Sequence, residues 1–166
     1  MNIRENRQKA GLLTYISRMV CILVLLFAGS LGAIAAQSNW DGDPQIGEAR
    51  LISAVSATGD LDTLPLGVEF TLASGWKIYW RTPGEAGLAP VLDLSTSSTP
   101  NLIGTIKWPL PKRFDAFGFD NFGYENAVIL PFDVTGHEIG APVMIVAELE
   151  ALACADICVP LAGRLE

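Results

Sequence analysis

The sequence predicts an all-β fold, specifically a β-sandwich, on three observations. Four segments alternate apolar and polar residues with a period of two: Leu66, Val68, Phe70 and Leu72; Trp76, Ile78 and Trp80; Val128, Leu130, Phe132 and Val134; and Val143, Ile145, Ala147 and Leu149. That period is the mark of strands with one face on a core and the other in water. Gly, Pro, Asp and Asn punctuate the runs, and no long stretch carries a helical period, so many short strands must stack as two layers.

The elements follow in chain order. Residues 1–35 read as a signal peptide: Arg4, Arg7, Lys9 and Arg18 flank the apolar run from Met19 to Ala36, and Ala33-Ile34-Ala35 fits a small-x-small cleavage site with Ala36 as the first mature residue. The competing reading is a retained membrane anchor, since the run approaches spanning length. Residues 36–47 are short, polar and rich in Gly, Asp and Pro, and read as a linker. Residues 48–166 form the domain. Besides the four alternating runs, short strands are expected around Leu51 to Val55 and Gly104 to Trp108, and "LSTSSTPN" is a polar loop. Trp80 is expected in the core, with Tyr79 and Arg81 on the opposite face of that strand. The single histidine, His137, follows Gly136 in a polar turn and is expected to face solvent.

Two connections are unusual. "RTPGEAGLAP" begins directly after an aromatic strand, and its Pro83-Gly84 suits a tight turn. "RFDAFGFDNFGYENA" interleaves Phe114, Phe117, Phe119, Phe122 and Tyr124 with glycines and acids. So many aromatics in a Gly/Asp-rich connection suggest a loop that covers something, or else packing over the sandwich edge.

Charge narrows the partners. The chain has 11 basic and 18 acidic residues; without the first 35, which hold 4 and 1, there remain 7 and 17, a net charge of about −10. A surface this acidic argues against nucleic acid or anionic lipid as a partner.

Three cysteines are present, and cleavage would remove Cys21, leaving Cys154 and Cys158. An exported chain permits a disulfide between them. Along a straight strand four steps span about 13 Å, too far for a bond that needs less than about 7 Å. A helical turn or a tight loop brings them within reach. Three readings stand side by side. A structural disulfide closing so short a loop contributes only about 1–2 kcal/mol. A redox pair needs an attacking thiol with a resolving thiol beside it. Two thiolates are too few for a closed zinc site but suit soft Cu(I), with Met144 or His137 as conceivable further ligands. Asp156, and Glu148 and Glu150 if they face the pair, would disfavour a thiolate.

The segments "GWKIYWRTPGEAGLAP", "WPLPKRF", "GYENAVILP" and "CADICVP", in this order, resemble the periplasmic N-terminal domain of the DsbD/ScsB-type thiol:disulfide interchange proteins, also described as a disulfide bond corrector domain. The resemblance covers Trp76 to Pro160 and, less specifically, Ile52 to Leu72. It implies an immunoglobulin-like sandwich that needs no cofactor. Its cysteine pair receives electrons from a membrane-embedded reductase domain, ultimately from cytoplasmic thioredoxin, and passes them to thioredoxin-like proteins and exported thiol proteins. The resemblance makes Cys158 the attacking thiol and Cys154 the resolving one. It also implies a cap loop closing over the pair with an aromatic side chain: Phe117 first, Phe119 and Tyr124 as alternatives, with Asp120 and Glu125 holding the loop. Tyr79 and Arg81 are supporting candidates. The location implied is the periplasm, associated with the inner membrane if the chain is part of a longer protein. "CADIC" is shorter than the best-known DsbD spacing and closer to the ScsB branch, which is linked to copper tolerance. Family members continue into a further strand, so "GRLE" is expected to open a strand that is cut short, leaving the sandwich C-terminally truncated. The contrasting function is a non-enzymatic copper-binding or immunoglobulin-like interaction module with a structural disulfide.

Overall fold

The computed structural model describes residues 36–116 and 118–166, so the expected signal peptide and Phe117 lie outside the described residues. Eleven strands are described: β1 (Asp41–Asp43), β2 (Gly47–Ser53), β3 (Leu64–Leu72), β4 (Lys77–Gly84), β5 (Val91–Asp93), β6 (Ile103–Ile106), β7 (Lys112–Ala116), β8 (Phe119–Glu125), β9 (Ala127–Thr135), β10 (Ala147–Cys154) and β11 (Cys158–Leu165). They form two sheets. The first has the order β1-β2-β3-β9-β6, and the second β11-β10-β4-β8-β7, with β5 also paired to β10. Every pairing is antiparallel. The chain is thus an all-β fold of two sheets in a sandwich-like arrangement.

One apolar cluster draws on both sheets. Val68, Phe70, Leu130, Phe132 and Val134 come from the first; Ile78, Tyr124, Leu149, Ala153, Leu161 and Leu165 come from the second. Val68, Phe70, Ile78, Leu130, Phe132, Val134 and Leu149 are apolar positions of the alternating runs, while Tyr124, Ala153, Leu161 and Leu165 lie outside them; each fully buried Leu, Val or Phe stabilises the fold by roughly 1.5–3 kcal/mol. Trp76 and Trp80 pack against the same cluster, partly buried.

Several elements differ from the sequence reading. The stretch read as a linker is docked on β2: β1 pairs with it, and the Ser38 N–H donates to the Leu51 carbonyl at 2.8 Å. The Phe-rich connection is no loop but a hairpin, β7–β8, with Gly118 in the left-handed region at φ 81°. The run from Val143 enters its strand four residues late. Residues 143–146 are held instead by the polar loop before β6. The Ser97 hydroxyl donates to the Val146 carbonyl and accepts from its N–H, both at 3.0 Å, and Ser98 pairs with Met144 in the same way. Serine side chains thus stand in for a neighbouring strand. "GRLE" closes β11 rather than opening a strand, since Gly163, Arg164 and Leu165 are its last three residues. His137 is buried, not solvent-facing, and its Nε2–H donates to the Leu61 carbonyl at 2.9 Å.

Candidate functional site

The two cysteines close the β10–β11 hairpin. They are register partners, Cys154↔Cys158, with Ala155, Asp156 and Ile157 between them. Their Cα atoms lie 4.1 Å apart and the sulfurs are joined in a disulfide. Of the helical turn and the tight loop that the spacing allows, the structure has the tight loop, a three-residue hairpin tied by the Ala155 N–H donating to the Ile157 carbonyl at 2.8 Å. Reversing the chain brings the partners together as well as a helical turn does, and it keeps both residues in strands.

Strand alternation decides which face carries the bond. Ala153 belongs to the core, so Cys154, one step on, points to the opposite, outer face of the second sheet. Cys154 pairs across the sheet with Lys77, and Lys77 with Glu125. Directly opposite residues share a face, so Cys158, Cys154, Lys77 and Glu125 form one row. Tyr79 and Asn121 follow on the same face, two and four steps away along their strands.

The two cysteines differ in exposure. Cys154 is 2% exposed, whereas Cys158 is exposed at the start of the edge strand, beside the exposed Ile157. Beside the row, Lys77 Nζ donates to the Gly75 carbonyl at 3.0 Å and lies 3.7 Å from Glu125. Lys112 reaches the other Glu125 oxygen at 4.0 Å. The Lys77 ammonium also lies 5.5 Å from the centroid of the Phe114 ring, which packs on Tyr79 at 5.9 Å. Glu125 thereby ties β8 to β4 and β7 at the level of the cysteines.

Tyr79 is fully buried although it faces outward from the sandwich. The connection after β4 folds over it. Gly87, at φ 94°, sits so close that a Cβ there would run into the Tyr79 ring. The phenol oxygen is buried with no hydrogen-bond partner among the described residues, and burial raises its pKa. Asn121, also fully buried, holds the same connection: its Oδ1 accepts from the Ala86 N–H at 3.0 Å and its Nδ2 donates to the Phe119 carbonyl at 2.8 Å. Gly123 allows β8 to lie against β4, because a Cβ there would strike the Ile78 carbonyl.

The other candidates are placed as follows. Phe119 is half exposed near the tip of the β7–β8 hairpin. Asp120 accepts two hydrogen bonds from Arg113 across that hairpin, at 2.9 and 2.6 Å. Tyr124 faces the core, opposite to the cysteine row, and its hydroxyl donates to the Pro109 carbonyl at 2.9 Å. Burial pushes its pKa up to about 12, outweighing the nearby Arg81 charge. Arg81 is exposed and stacks its guanidinium 4.7 Å from the centroid of the Trp80 ring. Thus Lys77, Tyr79 and Glu125 adjoin the row of the disulfide, while Tyr124 does not.

The acids expected to oppose a thiolate are largely accounted for elsewhere. Glu148 is bonded to Arg164 at 2.6 Å. Glu150 is four residues up the strand from Cys154, a separation of about 13 Å that exceeds the screening length of about 8 Å at physiological salt. Asp156, in the hairpin loop, is the acid that remains beside the sulfurs. Neither additional ligand considered for copper adjoins them. His137 is bonded to Leu61, and Met144 lines a cleft of about 590 Å³ with Glu166, beyond the far end of β11. Among the described residues no three His, Cys, Asp or Glu side chains converge to hold a metal ion.

Lys77, Gly87 and Asn121 are not among the site residues expected from the sequence. Lys77 was within reach, since it shares its strand face with Tyr79. Asn121 was not, because its role depends on a loop 35 residues earlier in the chain.

Comparison with known proteins agrees with this geometry. The family Thiol:disulfide interchange protein DsbD, N-terminal, matches residues 47–166. Among solved structures, the N-terminal periplasmic domain of ScsB from Proteus mirabilis is similar, with 28% identity and a TM-score of 0.63 over 79% of this chain. The chain spans about half the length of that structure, 50% of it. No curated protein sequence matches. With a disulfide-forming cysteine pair on a two-sheet β fold, and a family match that runs through both cysteines, the chain belongs to the DsbD N-terminal family of periplasmic thiol:disulfide interchange domains.

Proposed function

We propose that the domain performs thiol–disulfide exchange, relaying electrons from a membrane-embedded reductase to periplasmic thiol proteins, with Cys158 attacking and Cys154 resolving. The observation that carries this reading is the unequal exposure of the two cysteines: Cys158 is an exposed residue and Cys154 is 2% exposed. Only an exposed sulfur can reach a partner's disulfide in line, and a buried neighbour is protected from capture by another molecule. The exchange is balanced within the cysteines. The Cys158 thiolate forms a bond to one sulfur of the partner disulfide, and the other partner sulfur leaves as a thiolate. The Cys154 thiolate then attacks Cys158 Sγ, forms the 154–158 bond and releases the second partner thiolate. Two electrons pass to the partner; its two thiolates take up the protons that the domain's thiols gave up. Running the sequence in reverse against a reduced membrane partner restores the dithiol.

The β7–β8 hairpin is the family's cap in this reading. Phe117 and Phe119 supply its aromatic cover, while Asp120 and Glu125 hold it through Arg113 and through Lys77 and Lys112. Tyr79 and Arg81 support the floor and the adjoining strand. The reading also takes the sandwich to be of the immunoglobulin-like kind.

The test is trapping. Cys154→Ser should accumulate a mixed disulfide through Cys158 with a single-cysteine thioredoxin whose thiol is carried as its thionitrobenzoate disulfide, releasing thionitrobenzoate, whereas Cys158→Ser should accumulate little. Equal trapping by both variants would contradict the assigned order. Stoichiometric retention of Cu(I) with no exchange in either variant would favour the copper-binding module instead.

A further inference from the structure

β11 is the edge strand of the second sheet, and it begins at Cys158. Its pairing parity fixes which backbone groups face off that edge. In antiparallel pairs, residues about 4.5 Å apart across the ladder exchange no hydrogen bonds, and those about 5.5 Å apart exchange two. At 4.1 Å, Cys154 and Cys158 are of the first kind, so the Cys158 N–H and carbonyl point away from β10. Arg164 has the same parity, and its N–H donates off the edge to Asp41 Oδ2 at 3.1 Å. Pro160, between them, has no N–H to lose there, which is where an edge strand tolerates proline. Cys158, Pro160, Ala162 and Arg164 therefore face outward along the edge.

The two ends of this edge are treated differently. The Arg164 end is covered by β1, through Asp41. The Cys158 end is not: Cys158, Pro160 and Ala162 are exposed, as is Ile157 beside them. Among the described residues no strand pairs with this half of the edge. It offers a donor and an acceptor at Cys158, an acceptor at Pro160, and a donor and an acceptor at Ala162.

We infer that this half-edge is the docking surface for the exchange partner, which adds an extended segment to β11 as a further strand with its reacting cysteine opposite Cys158. The inference rests on the exchange function proposed above. Two geometric facts support it. A residue hydrogen-bonded directly opposite Cys158 has its Cα about 5.5 Å away, the commonest separation for a disulfide, and its side chain lies on the same face as Cys158 Sγ. Strand addition thus puts the two cysteines on one face with their Cα atoms in the disulfide range, leaving a small local adjustment to bring Cβ atoms about 4.5–5.5 Å apart to the roughly 3.5–4.5 Å of a disulfide, with little demand on the partner's sequence. The donor missing at Pro160 keeps the added ladder short, which suits a complex that must release its product, and it guards the exposed edge against pairing with its own kind.

Amide hydrogen exchange read by NMR tests the inference. The Cys154→Ser chain is linked through Cys158 to a single-cysteine thioredoxin supplied as its thionitrobenzoate disulfide, and separately to mercaptoethanol supplied as bis(2-hydroxyethyl) disulfide, which has no backbone; in each case one thiolate leaves as the new disulfide forms. In the thioredoxin adduct the Cys158 and Ala162 amides should exchange at least about ten-fold more slowly than in the mercaptoethanol adduct. Val159 and Leu161, already paired with β10, should be unchanged. A thioredoxin adduct in which Cys158 and Ala162 exchange as fast as in the control overturns the docking mode while leaving thiol exchange standing. Failure of Cys158 to form the adduct at all overturns both.

Discussion

The two faces of the second sheet share the same strands and differ in almost everything else. On the inner face Ile78, Tyr124, Leu149 and Ala153 join the apolar core, and the one polar group among them, the Tyr124 hydroxyl, is bonded to Pro109. On the outer face, one residue along in each strand, lie Lys77, Tyr79, Glu125 and Cys154. There a phenol is buried without a hydrogen-bond partner among the described residues, and a cysteine is 2% exposed. The inner face is built to stabilise, and on the proposed reading the outer face presents one exchangeable bond. The separation costs the sequence nothing beyond the strand period, because alternate residues see different surroundings.

Breaking each face should give different losses. The largest is chemical: Cys158→Ser should reduce exchange with a thioredoxin-like partner to the uncatalysed background. Its stability in urea should fall by no more than about 2 kcal/mol, since the bond closes so short a loop. A far larger fall would mean that the outer face is structural after all. On the inner face, Phe132→Ala should cost about 3–5 kcal/mol and Ile78→Ala about 2–5 kcal/mol in urea titrations, with the reduction potential of the remaining folded protein unchanged. Gly87→Ala comes next. It places a side chain at φ 94° and against the Tyr79 ring, and should cost about 1–3 kcal/mol while leaving the core packing observable by near-ultraviolet dichroism.

High pH acts on both faces through their tyrosines. Burial holds the Tyr124 pKa at about 12 and raises that of Tyr79 above the ordinary 10.0. Above pH 10 the unfolded chain loses these protons while the folded chain keeps them. Stability should therefore be intact below pH 10 and fall as the pH rises towards about 12. Phenylalanine at either position should flatten that fall. The smallest effect is expected from Glu125→Gln. Its pairs with Lys77 and Lys112 are partly exposed, and such pairs contribute at most about 1 kcal/mol, less at high salt.

Much of the inner face was legible in the sequence, because burial of one strand face writes itself as alternation. Leu66 to Leu72 and Val128 to Val134 mark β3 and β9 directly. The outer face was less so. Lys77 and Tyr79 follow from the same alternation once Ile78 is placed inside. The β7–β8 hairpin was read as a loop because its glycines and acids look like turn residues, although of its described glycines only Gly118, at φ 81°, lies between the two strands. The cysteine hairpin was half legible: four residues of separation fit a helical turn as well as a tight loop at the strand end, and only the pairing of Ala147–Cys154 with Cys158–Leu165 decides between them. Asn121, and the serines that hold Met144 and Val146, bond across long sequence separations and leave no local pattern.

The central claim is that the outer-face disulfide is there to exchange, and its reduction potential tests that most directly. The chain would be equilibrated in defined glutathione buffers and the dithiol fraction counted by alkylation. A value near about −230 mV, between thioredoxin and the protein disulfide isomerases, is predicted for an electron relay. A value below about −300 mV, with no exchange to a thioredoxin-like protein, would make Cys154–Cys158 a structural staple and contradict the account.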